Sequence, residues 1–237
     1  AQAEVDALFA AGNASQTVTS CAACAKPTAH WAFDDNPDPT VVDVSGSSPG
    51  VNMHGSISVS GRVGTALKFA DKTDHVRIPN SVALNPTAAL TVAVWVQPTG
   101  VLSGADTTQS PFFDKQQSSA GYGLFSGASQ GLRAVIGNVT AKQTGTTFAA
   151  ASWHHIVGSW DGANVRLYLD GALANTAAKT TALSPYSGEA RVGGDGSPIS
   201  GSFLGAVDEL VVYDIALSDA QVTELFNLGT AGTALPK

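Results

Sequence analysis

The 237-residue sequence predicts an all-β fold, a two-sheet antiparallel jelly-roll sandwich with short helices at its ends. Three observations predict it. Short β-branched and aromatic runs recur along the chain between Gly, Pro, Asn and Asp punctuation, which is the spacing of strands and turns. Two Asp-Gly pairs, Asp161-Gly162 and Asp170-Gly171, stand between apolar runs, and a hairpin turn needs this kind of residue because it requires positive φ. No helical periodicity interrupts the body from Pro27 to Gly229, which excludes an α/β arrangement.

The elements follow in order. Residues 1–13 read as the closing helix of a preceding, similar domain. Ala3–Gly12 aligns without gaps to Ala220–Gly229, sharing Ala, Val, Leu, Phe and Gly, so the parent protein is expected to carry tandem copies. Residues 14–26 form a polar, small-residue linker holding Cys21 and Cys24. Their C-A-A-C spacing reads as a small local disulfide, with free thiols as the alternative. A zinc site would need two further ligands, and a redox pair normally opens a helix after a strand. The domain proper spans 27–229, and 230–237 is a tail.

Strands are expected at His30–Phe33, Ala66–Ala70, His75–Ile78, Leu90–Val96, Gly123–Phe125, Leu132–Ile136, Trp153–Trp160, Val165–Asp170, Ala190–Gly193 and Gly205–Tyr213. Leu67, Phe69, Val76 and Ile78 point inward and Arg77 outward by the two-residue period of a strand. Leu90–Val96 is almost wholly apolar, as a strand covered on both faces should be. The last element is a helix with the start signal Ser218-x-x-Gln221; Val222, Leu225 and Phe226 share a face and Gly229 is placed to end it.

Charge and composition narrow the partners. The formal charge is −7 and no Lys/Arg run exists along the sequence, so nucleic-acid phosphates and anionic membrane surfaces would be repelled. No apolar stretch approaches the roughly 20 residues a bilayer span needs. Only 13% of residues are charged, and the Gly, Ser, Thr, Ala and Val content suits an exported β protein. The chain begins at Ala1 and reads as a mature or excised fragment, monomeric as such, of a secreted or cell-surface protein.

Several motifs carry a family resemblance. His30-Trp31-Ala32-Phe33-Asp34-Asp35, then Asp43-Val44-Ser45-Gly46 and His54-Gly55, is similar to the opening of laminin-G-like jelly-roll domains. Gly64–Phe69 with Asp74–Pro79, Leu90–Pro98, Trp153–Ile156, Asp161-Gly162, Val165–Gly171, Gly205–Leu210 and Ala216–Ser218 continue the match in order across residues 28–229. The chain thus resembles the concanavalin A-like group that includes pentraxins, legume lectins and bacterial β-glucanases. The resemblance implies two curved antiparallel sheets and binding to sugars or proteins, often with a calcium ion. Fold alone does not assign function, because enzymes and lectins share it.

Catalysis is disfavoured by the residues. A glycosidase needs two carboxylates roughly 5–10 Å apart, and the glucanase branch places them on one strand as Glu-x-Asp-x-x-Glu. The four glutamates here, Glu4, Glu189, Glu209 and Glu224, have no such neighbours. Tyr168 faces away from Leu167 and Leu169, where a lyase-type tyrosine would stand on the concave sheet, yet no His and Arg set accompanies it. Calcium has a candidate set in Asp34, Asp35, Asp43 and Asp208, because first and last strands of a jelly roll are neighbours and calcium takes six to eight oxygens. The competing reading makes these aspartates turn formers bonded to their own backbone. For a ligand surface, Tyr122 and Tyr186 are the loop aromatics and Asp195 the open polar residue, whereas Trp31, Trp95, Trp153 and Trp160 sit in framework motifs. The expectation is a non-catalytic extracellular module with a structural calcium, binding a glycan or a cell-surface protein. The alternative is an interaction or spacer repeat with no small ligand.

Overall fold

The computed structural model describes residues 25–35, 39–103, 109–127, 131–194 and 201–235. The expected helix over 1–13, the cysteines Cys21 and Cys24, and Asp195 lie outside the described residues.

Two eight-stranded antiparallel sheets face one another. The first contains β1 (Ala29–Trp31), β4 (Ile57–Ser60), β5 (Thr65–Phe69), β7 (Leu90–Pro98), β14 (His154–Trp160), β15 (Asn164–Leu169), β16 (Ala172–Ala178) and β18 (Gly205–Tyr213). Its order is β16-β15-β14-β7-β18-β5-β4, with β1 also on β18. The second contains β2 (Thr40–Val41), β3 (Gly50–Met53), β6 (His75–Ile78), β9 (Gln109–Gln117), β10 (Ala120–Gly127), β11 (Leu132–Ile136), β12 (Val139–Gln143) and β17 (Ala190–Val192). Its order is β12-β11-β10-β9-β17-β6-β3-β2. A small ribbon pairs β8 (Leu102–Ser103) with β13 (Thr147–Phe148).

Strand alternation builds the core. Leu90, Val92, Val94 and Val96 of β7 project between the sheets and meet Leu124, Leu132 and Ile136 from the other side. The opposite face of β7 is also apolar, because helix α1 (Asp219–Thr230) lies on it. There Ala93, Val157, Tyr168, Val211 and Tyr213 pack under Leu217, Val222 and Leu225. This double coverage explains the uninterrupted hydrophobicity of Leu90–Val96.

The turn chemistry holds where glycine or aspartate demanded it. Asp170 and Gly171 join β15 to β16 with φ of 50° and 79°, the two positive values of a type I′ hairpin. Helix α1 begins with the full capping box, Ser218 accepting from Gln221 N–H and the Gln221 side chain accepting from Ser218 N–H. It does not stop at Gly229. That glycine lies inside the helix against Trp95, and the left-handed residue beyond the end is Gly232, at φ 67°.

Candidate functional site

The four carboxylates expected to hold calcium do not form a cage. Asp43 is buried in the turn after β2, and its two oxygens accept four backbone N–H groups: His30 at 2.9 Å and Ser45 at 2.8 Å on Oδ1, Ser47 at 3.1 Å and Ser48 at 2.8 Å on Oδ2. Asp208, fully buried on β18, accepts Arg62 N–H at 2.7 Å and Val63 N–H at 2.9 Å on Oδ2 and Glu209 N–H at 2.9 Å on Oδ1. Burial pushes its carboxyl up to about 8, while these donors pull the other way. Asp34 accepts Thr65 N–H at 2.8 Å, and Asp35 is exposed.

The first and last strands do pair, Trp31 opposite Leu210. Asp34 and Asp208 therefore arrive at one place, the turn joining β4 to β5. What they meet there is a set of backbone N–H groups, which satisfies a carboxylate without a metal. Among the described residues no group of three or more His, Cys, Asp or Glu could hold a metal ion. Placed in this way, the four carboxylates are not gathered as a set of calcium ligands.

The two tyrosines divide. Tyr122 is not on an exposed loop. It lies on β10 with 1% of its surface exposed, faces Phe113 in the core and donates its hydroxyl to Leu84 O at 3.2 Å. The flanking glycines that suggested a loop belong to a strand, with Gly121 closely approached by the Lys115 carbonyl. Tyr186 is half-buried in the loop before β17. Its ring lies 5.0 Å from the Lys115 ammonium, and its carbonyl accepts from that ammonium together with Gly188 O at 2.7 Å and Asn80 Oδ1 at 2.8 Å. Burial lowers Lys115 to about 8. Tyr168 is covered by α1 and donates to Asp219 Oδ1 at 2.8 Å, so it does not stand on an open concave sheet.

Two of the glutamates are held by basic partners. Glu209, at φ 47° in a β-bulge of β18, is buried with Oε2 2.7 Å from His30 Nε2. Glu189 gives one oxygen to Arg77 and the other to Arg191.

An aromatic platform stands elsewhere, on the part of the first sheet that α1 leaves bare. The register sets Gln97 opposite Ala206, Ala206 opposite Lys68 and Lys68 opposite Ile57. Trp153, just before β14, is half-buried and lines, with Gln97, Ala206 and Lys68, a groove of about 470 Å³. Ala206 keeps its floor flat. Gln97 Nε2 donates to Ala151 O at 3.1 Å, which leaves the amide oxygen for a ligand. Ala151 itself is left-handed, at φ 61°, with its N–H bonded to Pro98 O at 2.8 Å. Such a conformation costs a non-glycine residue roughly 1–3 kcal/mol and is a mark of functional rims. Trp153 was hidden in the sequence because Trp153-His154-His155-Ile156 resembles framework. Only the folded chain brings it beside Gln97, Lys68 and Ala206.

Comparison with known proteins agrees with this architecture. Domain 4 of AbnA, a GH43 extracellular arabinanase from Geobacillus stearothermophilus solved with arabinotriose, superposes with a TM-score of 0.66 at 21% identity. The match covers 84% of this chain and 98% of that one. The binding domain of Paraclostridial Mosquitocidal Protein 1 (TM-score 0.62, 12% identity) and that of botulinum neurotoxin serotype D (0.59, 11%) also share the fold. The match takes in 84% and 85% of this chain and 51% and 50% of theirs, so the chain spans about half of each toxin domain. No curated protein matches in sequence. A laminin G family model of the concanavalin A-like lectin/glucanases superfamily matches residues 70–223, which is more than half of the chain. With the two antiparallel sheets that were expected and that match across both of them, the chain belongs to the laminin-G-like family of the concanavalin A-like lectin/glucanases superfamily.

Proposed function

We propose that this domain is a non-catalytic carbohydrate-binding module of an extracellular protein, and that the groove beside Trp153 receives the sugar. The observation that carries the reading is the half-buried indole lining a flat-floored groove, with the Gln97 amide and Lys68 ammonium along one row of the sheet. Sugar rings present an apolar face to an aromatic and hydroxyls to amide and charged groups, which is the complement offered here. The arabinanase domain solved with arabinotriose supports a sugar ligand, since it shares the fold over nearly its whole length. Secretion is consistent with that neighbour. No helix among the described residues is long and apolar enough to cross a membrane.

A glycan array followed by calorimetric titration tests the reading, with arabinotriose among the ligands. Trp153→Ala is expected to weaken binding at least tenfold while leaving the melting temperature within a few degrees. Absence of binding to any glycan would overturn it in favour of a spacer or protein-interaction repeat.

A further inference from the structure

The outer face of the second sheet holds a different kind of group. Leu124, Leu132 and Ala134 point into the core, so their strand neighbours Phe125, Arg133 and Val135 point out. The register sets Phe125 opposite Arg133 and Arg133 opposite Lys142. The Phe125 ring lies across Gly123, where a Cβ would sit 2.7 Å from two ring carbons. The Arg133 guanidinium is stacked over that ring, 5.6 Å from its centre.

Arg133 is 5% exposed, yet among the described residues it has no carboxylate partner, and its buried Nε meets no acceptor. Arg62, intermediate in exposure over Trp95 at 4.9 Å, also has an Nε without a partner among the described residues, but three other arginines are paired. Arg77 and Arg191 share Glu189, and Arg166 pairs with Asp161 at 2.7 Å. A guanidinium taken out of water without compensation costs several kcal/mol. Burial accordingly holds its pKa below the ordinary arginine value. A planar cation fixed on an aromatic face presents its fork to a planar or tetrahedral oxyanion.

The surrounding charge has the matching sign. Four cations from distant parts of the chain, Arg77, Arg133, Lys142 and Arg191, gather on this face with Glu189 and Asp114. The chain as a whole carries −7.

We propose that Arg133, standing on Phe125, anchors a second subsite that takes a carboxylate or sulfate group of an acidic sugar. The inference rests on the carbohydrate-binding reading of the domain but not on the Trp153 groove, which lies on the other sheet.

The test titrates the wild-type domain, Arg133→Met, Arg133→Lys and Trp153→Ala with three oligosaccharides of equal length: neutral, uronate-bearing and sulfated. The wild type is expected to prefer one acidic probe, with affinity falling as salt rises. Arg133→Met should lose at least tenfold for that probe, hold the neutral one within twofold, and melt no lower than the wild type, because it removes an unpaired buried charge. Arg133→Lys, which keeps the charge and loses the fork, should recover only part of the loss. Preference for the uronate or the sulfate probe identifies the group. No preference for an acidic probe, or equal acidic binding by Arg133→Met, overturns the subsite. No neutral binding by the wild type, or equal neutral binding by Trp153→Ala, would instead overturn the Trp153 groove, so the two failures are read separately.

Discussion

Trp95 and Phe226 stack with ring centres 5.5 Å apart and planes 19° from parallel, which locks α1 onto the first sheet. One turn further along the helix, Gly229 lets the backbone lie on the same indole; a Cβ there would fall 2.6 Å from Trp95 Cε2 and 2.8 Å from Cζ2. Glycine to alanine inside a helix normally stabilises by up to about 1 kcal/mol. Here the sign is expected to invert: Gly229→Ala should destabilise by roughly 1–3 kcal/mol through overpacking, read as a lower urea midpoint.

A second prediction concerns acid. His155 is buried between Trp95 and Phe226, with ring centres at 5.0 and 6.2 Å. Its Nδ1 has no partner among the described residues, and burial lowers its pKa from 6.5 to about 4, against the opposing pull of Asp170. A histidine depressed in the folded state contributes stability that is present above its unfolded pKa and lost as pH falls through the folded one. The window is therefore pH 6.5 down to about 4, and the loss about 3 kcal/mol. Asp208, raised to about 8, acts with the opposite sign over pH 4 to 8. The difference between wild type and His155→Phe isolates the histidine: it should be steep across pH 4 to 6.5 and flat above.

Calcium supplies the third. With Asp43 and Asp208 occupied by seven backbone N–H groups between them, chelator should leave the melting temperature unchanged. Asp43→Ala strands four donors, some of them buried, and should cost about 3 kcal/mol or more. A chelator-dependent melting shift would reverse the assignment.

The Trp153 groove gives a fourth. Gln97→Ala should weaken sugar binding several-fold, because it removes the amide oxygen, and it should also loosen the strained Ala151 turn that Gln97 holds. Lys68→Met should change affinity for a neutral sugar less than Gln97→Ala does. Titration of both variants with the same oligosaccharide checks the order.

Much of the scaffold was legible because its signals are local. The two Asp-Gly turns, the capping box at Ser218 and the apolar run of β7 need nothing beyond their own neighbours. Strands β9 and β16 were not legible: Gln109–Gln117 carries Pro111, Asp114 and Lys115, and Ala172–Ala178 is built from small residues at a sheet edge. The candidate sites were hidden for a different reason. Gln97, Ala206 and Lys68, with Trp153 beside them in the groove, become neighbours only through strand register, as do Arg77 and Arg191, and Arg133 and Lys142, on the other face. A charge cluster assembled from four strands leaves no run in the sequence. Asp34 and Asp208 show the converse, since their approach to one turn was foreseeable and the N–H groups waiting there were not.

The pairing of β1 with β18 has a mechanical consequence. Ala29, where β1 begins, lies opposite Val212, one residue from the end of β18, and the Thr28 N–H is bonded to Val212 O at 2.8 Å. The two strands therefore take load at the same end. Tension between the segments before Ala29 and after Tyr213 would peel β1 away one hydrogen bond after another, like a zip, instead of shearing the row at once. Such a domain yields early under stretch while the sheets behind it stay whole.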